Sequence, residues 1–202
     1  MTTVDAAVAA IEAGEVVVLP TDTVYGLAAT PFWPAGRDAL YRLKGRNPGQ
    51  PSALVAISVE RLLECVPEFA GRSEAILRLL LPGPLTLVLP NPARRFAWLG
   101  GRNPLALGVR VPAVAGPGRD VLERVGALVV TSANLPGGAE PRTVEDVPDS
   151  LRQAAAAVVD GGELPGTPST VLDLSGTEPR VLRQGAADAA GAVAVIAALE
   201  LG

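Results

Sequence analysis

The strand-forming runs of this 202-residue chain are short and abruptly ended. Residues 16–19 (Val-Val-Val-Leu) stop at Pro20, 85–89 at Pro90, 106–111 at Pro112 and 127–130 at Thr131 and Ser132; further runs cover 53–57, 171–174 and 180–182. Apolar or β-branched stretches of this length, bounded by turn residues, read as buried strands. Between them, residues 4–13, 35–43, 59–65, 73–80 and 186–201 read as helices, the first capped by Thr3 and stopped by Gly14. Some strands are joined by helices and others directly, which predicts an α/β fold around a twisted mixed (parallel/antiparallel) sheet with flanking helices. No linker or repeat divides the chain, so residues 1–202 are expected to form a single domain.

The apolar runs are also too short, and too often broken by Pro and Gly, to span a bilayer. The N-terminus Met1-Thr2-Thr3-Val4-Asp5 lacks a basic region followed by an apolar one. The expectation is a cytoplasmic protein with no membrane association. A lone cysteine, Cys65, permits neither an internal disulfide nor a thiolate zinc cluster, and among Leu62, Leu63 and Val66 it reads as a small apolar residue. Histidine is absent, which removes serine–histidine triads, papain-like sites and imidazole-ligated zinc. Chemistry must then run through hydroxyls, carboxylates, cations and backbone amides. Transfer at phosphorus suits that set, because it depends on positioning and charge neutralisation.

Net charge is −4 but unevenly spread. Residues 1–74 hold nine acids and six bases, 75–119 no acid and six arginines, and 120–202 twelve acids and five arginines. The acid-free stretch, with Arg94, Arg95, Arg102 and Arg110, reads either as a surface for a nucleotide or polynucleotide anion or as a solvated face paired with acids from elsewhere. Of 17 cationic side chains one alone is lysine, Lys44. An ammonium is a compact point charge where guanidinium is a planar fork, so a narrow phosphate cradle accepts one and rejects the other. Lys44-Gly45-Arg46 offers both charges at a helix exit, with Gly45 allowing close backbone approach. A Gly-x-Gly-x-x-Gly after the first strand is missing and the one lysine completes no Walker A motif, so any ATP is bound another way.

Three polar segments follow strands or helices closely enough to converge: Pro20 to Leu27 (Pro-Thr-Asp-Thr-Val-Tyr-Gly-Leu), Lys44 to Arg46, and Thr131 to Asn134 (Thr-Ser-Ala-Asn). Ligands of open α/β sheets sit at such strand ends. Together with Pro82-Gly83-Pro84-Leu85-Thr86, Gly108-Val109-Arg110-Val111-Pro112, Ser169-Thr170 and Leu182-Arg183-Gln184-Gly185, this ordered set resembles the YrdC-like threonylcarbamoyl-adenylate (L-threonylcarbamoyl-AMP) synthases over nearly the whole chain. The resemblance implies a YrdC-like fold with a concave basic cleft. It implies a nucleotidyltransferase that joins L-threonine, bicarbonate and ATP into threonylcarbamoyl-AMP and pyrophosphate, for the N6-threonylcarbamoyladenosine at position 37 of tRNA (t6A37). A separate threonylcarbamoyl-transferase complex is the implied downstream partner, and a weak contact with tRNA or double-stranded RNA is expected.

Carried over by position, the resemblance assigns Thr23, Arg110 and Ser169 to threonine and its carbamate, and Lys44, Arg46, Ser132, Asn134 and Arg183 to ATP, with Lys44 and Arg46 also catalytic. Mg2+ is expected mainly on the ATP phosphates, near Ser132 and Asn134, with no protein ligand assigned to it. The sequence departs from the family pattern at Gln50-Pro51-Ser52 and at Val55, which takes the place of a histidine lining the threonine pocket; Ala106 and Glu140 replace hydroxyl residues. These changes bear on strictness for threonine. Two alternatives stand beside the main reading: an RNA-binding module of the same fold, and a carbamoyl-adenylate enzyme serving another acceptor.

Overall fold

The computed structural model describes residues 2–200; Leu201, placed in the last helix by the sequence, lies outside the described residues. The elements run α1 (Thr3–Glu12), β1 (Val17–Pro20), β2 (Tyr25–Ala29), α2 (Pro34–Lys44), β3 (Ala53–Ala56), α3 (Val59–Cys65), α4 (Arg72–Leu80), β4 (Leu85–Pro90), β5 (Ala106–Arg110), α5 (Gly116–Val125), β6 (Ala127–Ser132), α6 (Asp149–Ala154), β7 (Ala157–Val158), β8 (Thr170–Asp173), β9 (Arg180–Arg183) and α7 (Ala189–Glu200). Among the described residues the strands form one nine-stranded sheet in the order β7-β1-β2-β6-β3-β5-β4-β8-β9. The pairs β1/β7, β3/β5 and β4/β8 are parallel and the others antiparallel, so the sheet is mixed.

Alternation along the strands divides the sheet into two faces. Val18, Leu27, Leu54, Leu87, Leu107, Val109 and Leu172 enter the larger core with residues of α2, α3, α4 and α7. Val17, Leu19, Ala28 and Leu128 face the other way, against Ala7, Val8 and Ile11 of α1 and Val121 and Leu122 of α5. Helices α1 and α5 cover only part of this second face. Beyond them it continues through Gly26, Thr86, Val88, Gly108, Arg110 and Ser132, which line an open cleft instead of a helix.

Four local differences from the sequence reading have physical causes. The cap of α1 is Thr2, not Thr3, because Asp5 three residues on returns the bond: Thr2 Oγ1 accepts from Asp5 N at 3.1 Å and Asp5 Oδ2 from Thr2 N at 2.8 Å. The segment read as one polar loop is a hairpin, whose return strand Tyr25–Ala29 pairs with β1 on one side and β6 on the other. Strand β6 runs through Thr131 and Ser132, which therefore belong to the strand and do not follow it. Helix α7 starts at Ala189, after Asp188 Oδ1 has accepted from Ala190 N at 3.0 Å.

The two-faced sheet makes a direct prediction at neighbouring residues. Leu87→Ala, which empties a fully buried core position, should cost about 2–5 kcal/mol in denaturant unfolding, and Val88→Ala on the cleft side under about 1 kcal/mol. Equal losses would contradict the assignment of faces.

Candidate active site

The cleft encloses about 410 Å³ on the uncovered sheet face. Its floor is apolar or small, with Ala53, Val55, Val88, Gly108 and Val130, and its walls carry Thr23, Arg46, Arg110, Ser132, Ser169 and Arg183. Six of the eight sequence-predicted residues thus line one cavity; the other two, Lys44 and Asn134, sit directly behind Thr131 and Ser132.

Lys44 closes α2, and Gly45 then turns the chain at φ 66°, a left-handed conformation that glycine adopts without strain. The lysine side chain is drawn inward until the residue is 5% exposed. Its Nζ donates to Ser132 O at 2.6 Å, Asn134 Oδ1 at 2.9 Å, and the hydroxyls of Thr131 and Ser132 at 3.2 Å each. Three N–H bonds serve four neutral oxygens, and among the described residues no carboxylate forms an ion pair with this ammonium. Burial, then the neighbouring Arg46 charge, pulls its pKa down to about 8, against a smaller opposing pull from Glu140.

Arg46 and Arg183 repeat the pattern. Arg46 donates to Pro51 O at 2.7 Å and to Thr131 Oγ1 at 3.3 Å; Arg183 donates to Ser169 O at 2.9 Å and Ser169 Oγ at 3.0 Å. Burial disfavours the charge on Arg183, Glu140 offsets this, and Arg46 adds to it. Three cations are therefore held in place by neutral acceptors, and the missing counter-charge is what an anionic ligand supplies.

Arg110 differs. Its NH2 donates to Asp22 Oδ1 at 2.5 Å and to Thr23 Oγ1 at 3.0 Å, while Asp22 Oδ2 accepts from Ala113 N at 2.9 Å. The hairpin turn delivers Asp22 and Thr23, and β5 delivers Arg110, with Val55 its register partner on β3. Arg110 Nε is buried and bonds no other protein atom. Ser169 Oγ lies 2.9 Å from Thr86 Oγ1 and also meets Arg183, so the residue expected at threonine touches one expected at ATP.

Of the two readings of the acid-free stretch the structure shows the second: Arg78 pairs with Glu60 and Glu74, Arg95 with Glu68, Arg119 with Glu123 and Arg110 with Asp22, and only Arg110 of its six arginines lines the cleft. Ser132 Oγ and Asn134 Oδ1, expected near Mg2+, both accept from Lys44, so an ammonium stands where a protein-bound cation would. Among the described residues no group of three or more His, Cys, Asp or Glu is placed to hold a metal, so the residues present do not fit a protein-held Mg2+. Asp22 and Thr131 stood in polar segments without an assigned role, and Tyr41 was not singled out from sequence; the bond between Asp22 and Arg110 spans 88 positions with no local signal.

An uncovered sheet face with uncompensated cations above an apolar floor defines an α/β protein built to receive an anionic small ligand. Residues 9–185 match the Sua5/YciO/YrdC family model, described as telomere recombination, and the chain belongs to this family. It is similar to the human threonylcarbamoyl-AMP synthase, 38% identical over 179 residues covering 84% of this chain and 62% of the human one. A Mycobacterium tuberculosis relative is 35% identical over 183 residues, 89% of this chain and 82% of its own. The crystal structure of Pyrococcus abyssi Sua5 complexed with L-threonine superposes with a TM-score of 0.86 at 30% identity, over 96% of this chain and 57% of that one. This chain thus spans about three fifths of the human and Pyrococcus proteins. Among the described residues no helix is long and apolar enough to cross a membrane.

Asp22→Ala would leave the Arg110 guanidinium buried and unpaired. The expected loss is about 3–5 kcal/mol of unfolding free energy. A loss below about 1 kcal/mol in denaturant titration would show that Asp22 does not hold Arg110.

Proposed function

We propose that this protein is a threonylcarbamoyl-AMP synthase acting as a nucleotidyltransferase on L-threonine, bicarbonate and ATP. The observation that carries the reading is a contrast among the cations of the cleft: Arg110 is already paired with a carboxylate, whereas Lys44, Arg46 and Arg183 are held by neutral oxygens alone. Threonine and its carbamate lie against Arg110, which faces a carboxylate, with Thr23 and Ser169 marking polar atoms. The triphosphate lies against Lys44, Arg46 and Arg183, with Ser132 and Asn134 orienting the lysine, and the contact between Arg183 and Ser169 is where the two groups of residues meet.

Bicarbonate condenses with the threonine amine to a carbamate, losing water. A carbamate oxygen then attacks the α-phosphorus of ATP; the new O–P bond forms as the bond to the bridging oxygen breaks, and pyrophosphate leaves. Lys44 and Arg46 neutralise charge that grows on the α-phosphate and on the departing group. No protein nucleophile is needed, in keeping with a chain that has no histidine. Magnesium enters as the metal of the nucleotide, and no step depends on a protein ligand to it.

The cleft stands on one continuous sheet, which supports treating residues 1–202 as a single domain. The product, a mixed anhydride, requires a transferase that passes the threonylcarbamoyl group to tRNA. We place the reaction in the cytoplasm, where these substrates meet, and keep a weak tRNA contact as part of the proposal.

Pyrophosphate release should require both threonine and bicarbonate. Lys44→Arg should lower it about tenfold or more, because four oxygens within 3.2 Å of Nζ leave no room for a planar fork. Release that ignores the amino acid, or wild-type turnover in Lys44→Arg, would overturn the reading.

A further inference from the structure

Tyr41 sits on α2, one turn before Lys44, and is 3% exposed. Two guanidinium groups lie over its ring, with the Cζ of Arg37 5.1 Å and that of Arg46 5.6 Å from the ring centroid. Its hydroxyl donates to Gln50 O at 2.6 Å and lies 2.7 Å from Ser52 Oγ. A phenol has one proton, so with that proton on Gln50 the serine is the donor in the second bond. Its backbone carbonyl accepts from Arg46 N at 2.9 Å, which ends the helix at the right place.

These contacts converge on Arg46. The Pro51 carbonyl that accepts from Arg46 NH2 lies between Gln50 and Ser52, the two residues fixed by the Tyr41 hydroxyl. The ring faces the guanidinium, and the hydroxyl fixes the strap that carries its principal acceptor. The remaining side-chain hold is the 3.3 Å bond to Thr131, and Arg46 Nε is buried with no protein partner. Without Tyr41 the guanidinium keeps its charge but loses its preset orientation, and that freedom must then be given up when an anion binds.

We propose that Tyr41 is a positioning residue for Arg46, holding the guanidinium through its ring and through the Gln50-Pro51-Ser52 strap. The inference rests on the reading that Arg46 meets the phosphates of ATP. Two substitutions separate the two arms: Tyr41→Phe removes the hydroxyl alone, and Tyr41→Leu removes hydroxyl and ring.

The test is a double-mutant cycle on pyrophosphate release, with and without Arg46→Ala. In the Arg46 enzyme, Tyr41→Leu should lower kcat/KM for ATP about tenfold and Tyr41→Phe about two- to threefold. In the Arg46→Ala background each should change it by less than about twofold, because the group it positions is gone. A structural role alone would multiply with Arg46→Ala, so undiminished losses in that background overturn the inference. Should Tyr41→Leu fail to fold, Tyr41→Phe carries the same comparison. If Arg46→Ala itself leaves turnover unchanged, the reading of the site fails and the inference falls with it.

Discussion

The ammonium of Lys44, buried against four neutral oxygens without a carboxylate partner, is the constraint on which the site depends. A buried charge is costly unless it is hydrogen-bonded and compensated, and here only the first condition is met from within the chain. Several features of the fold serve that first condition. Helix α2 stops at Lys44 because Gly45 takes the left-handed turn; β6 runs to Ser132 and presents one carbonyl and two hydroxyls; Asn134 turns its carbonyl oxygen to the ammonium and its amide to Gly138 O at 2.8 Å. The second condition is left for a ligand. Arg46 and Arg183 add to the deficit, and Glu140 offsets only part of it.

Arg110 supplies the contrast within the cleft. It is buried, like Lys44, whereas Arg46 is half-buried and Arg183 exposed, and it is paired with Asp22, which also accepts from Ala113 N. The Arg110–Asp22 pair is therefore near neutrality and suits an amino acid, while Lys44, Arg46 and Arg183, which lack such a partner, suit a polyphosphate. The cleft opens on one sheet face because alternation sends Gly108 and Arg110 outward as Leu107 and Val109 enter the core. Its floor lacks large side chains, and Val55 offers only methyl groups beside Arg110.

Much of this was legible in the sequence because hydroxyls and amides at the ends of apolar runs mark where a buried strand meets a ligand edge. Thr23, Ser132 and Asn134 were found that way, Lys44 and Arg46 as the lone lysine and the neighbouring fork at a helix exit, and the family motifs added Arg110, Ser169 and Arg183 to the site. Strand β2 escaped notice because Tyr-Gly-Leu-Ala-Ala has little strand propensity; it is extended because β1 and β6 pair with it on both edges. The acid-free arginines stayed open between two readings for a related reason. Charge counted by segment ignores that Glu60, Glu68 and Glu74 fold back onto Arg78 and Arg95. Tyr41 and Arg46 are five positions apart, a spacing that places them on no common helix face, and only the turn at Gly45 brings them together.

As the one lysine of the chain, Lys44 makes a buried ammonium that lacks its counter-charge directly observable. With lysine labelled in 13C and 15N, the one lysine side chain gives one Cε/Nζ signal to follow through a pH titration, without and with ATP. The free protein should titrate near pH 8, because burial favours the neutral amine, and saturating ATP should raise the midpoint, because adjacent phosphate favours the charged form. An ordinary lysine midpoint in the free protein, or one that ATP leaves unmoved, would contradict the account.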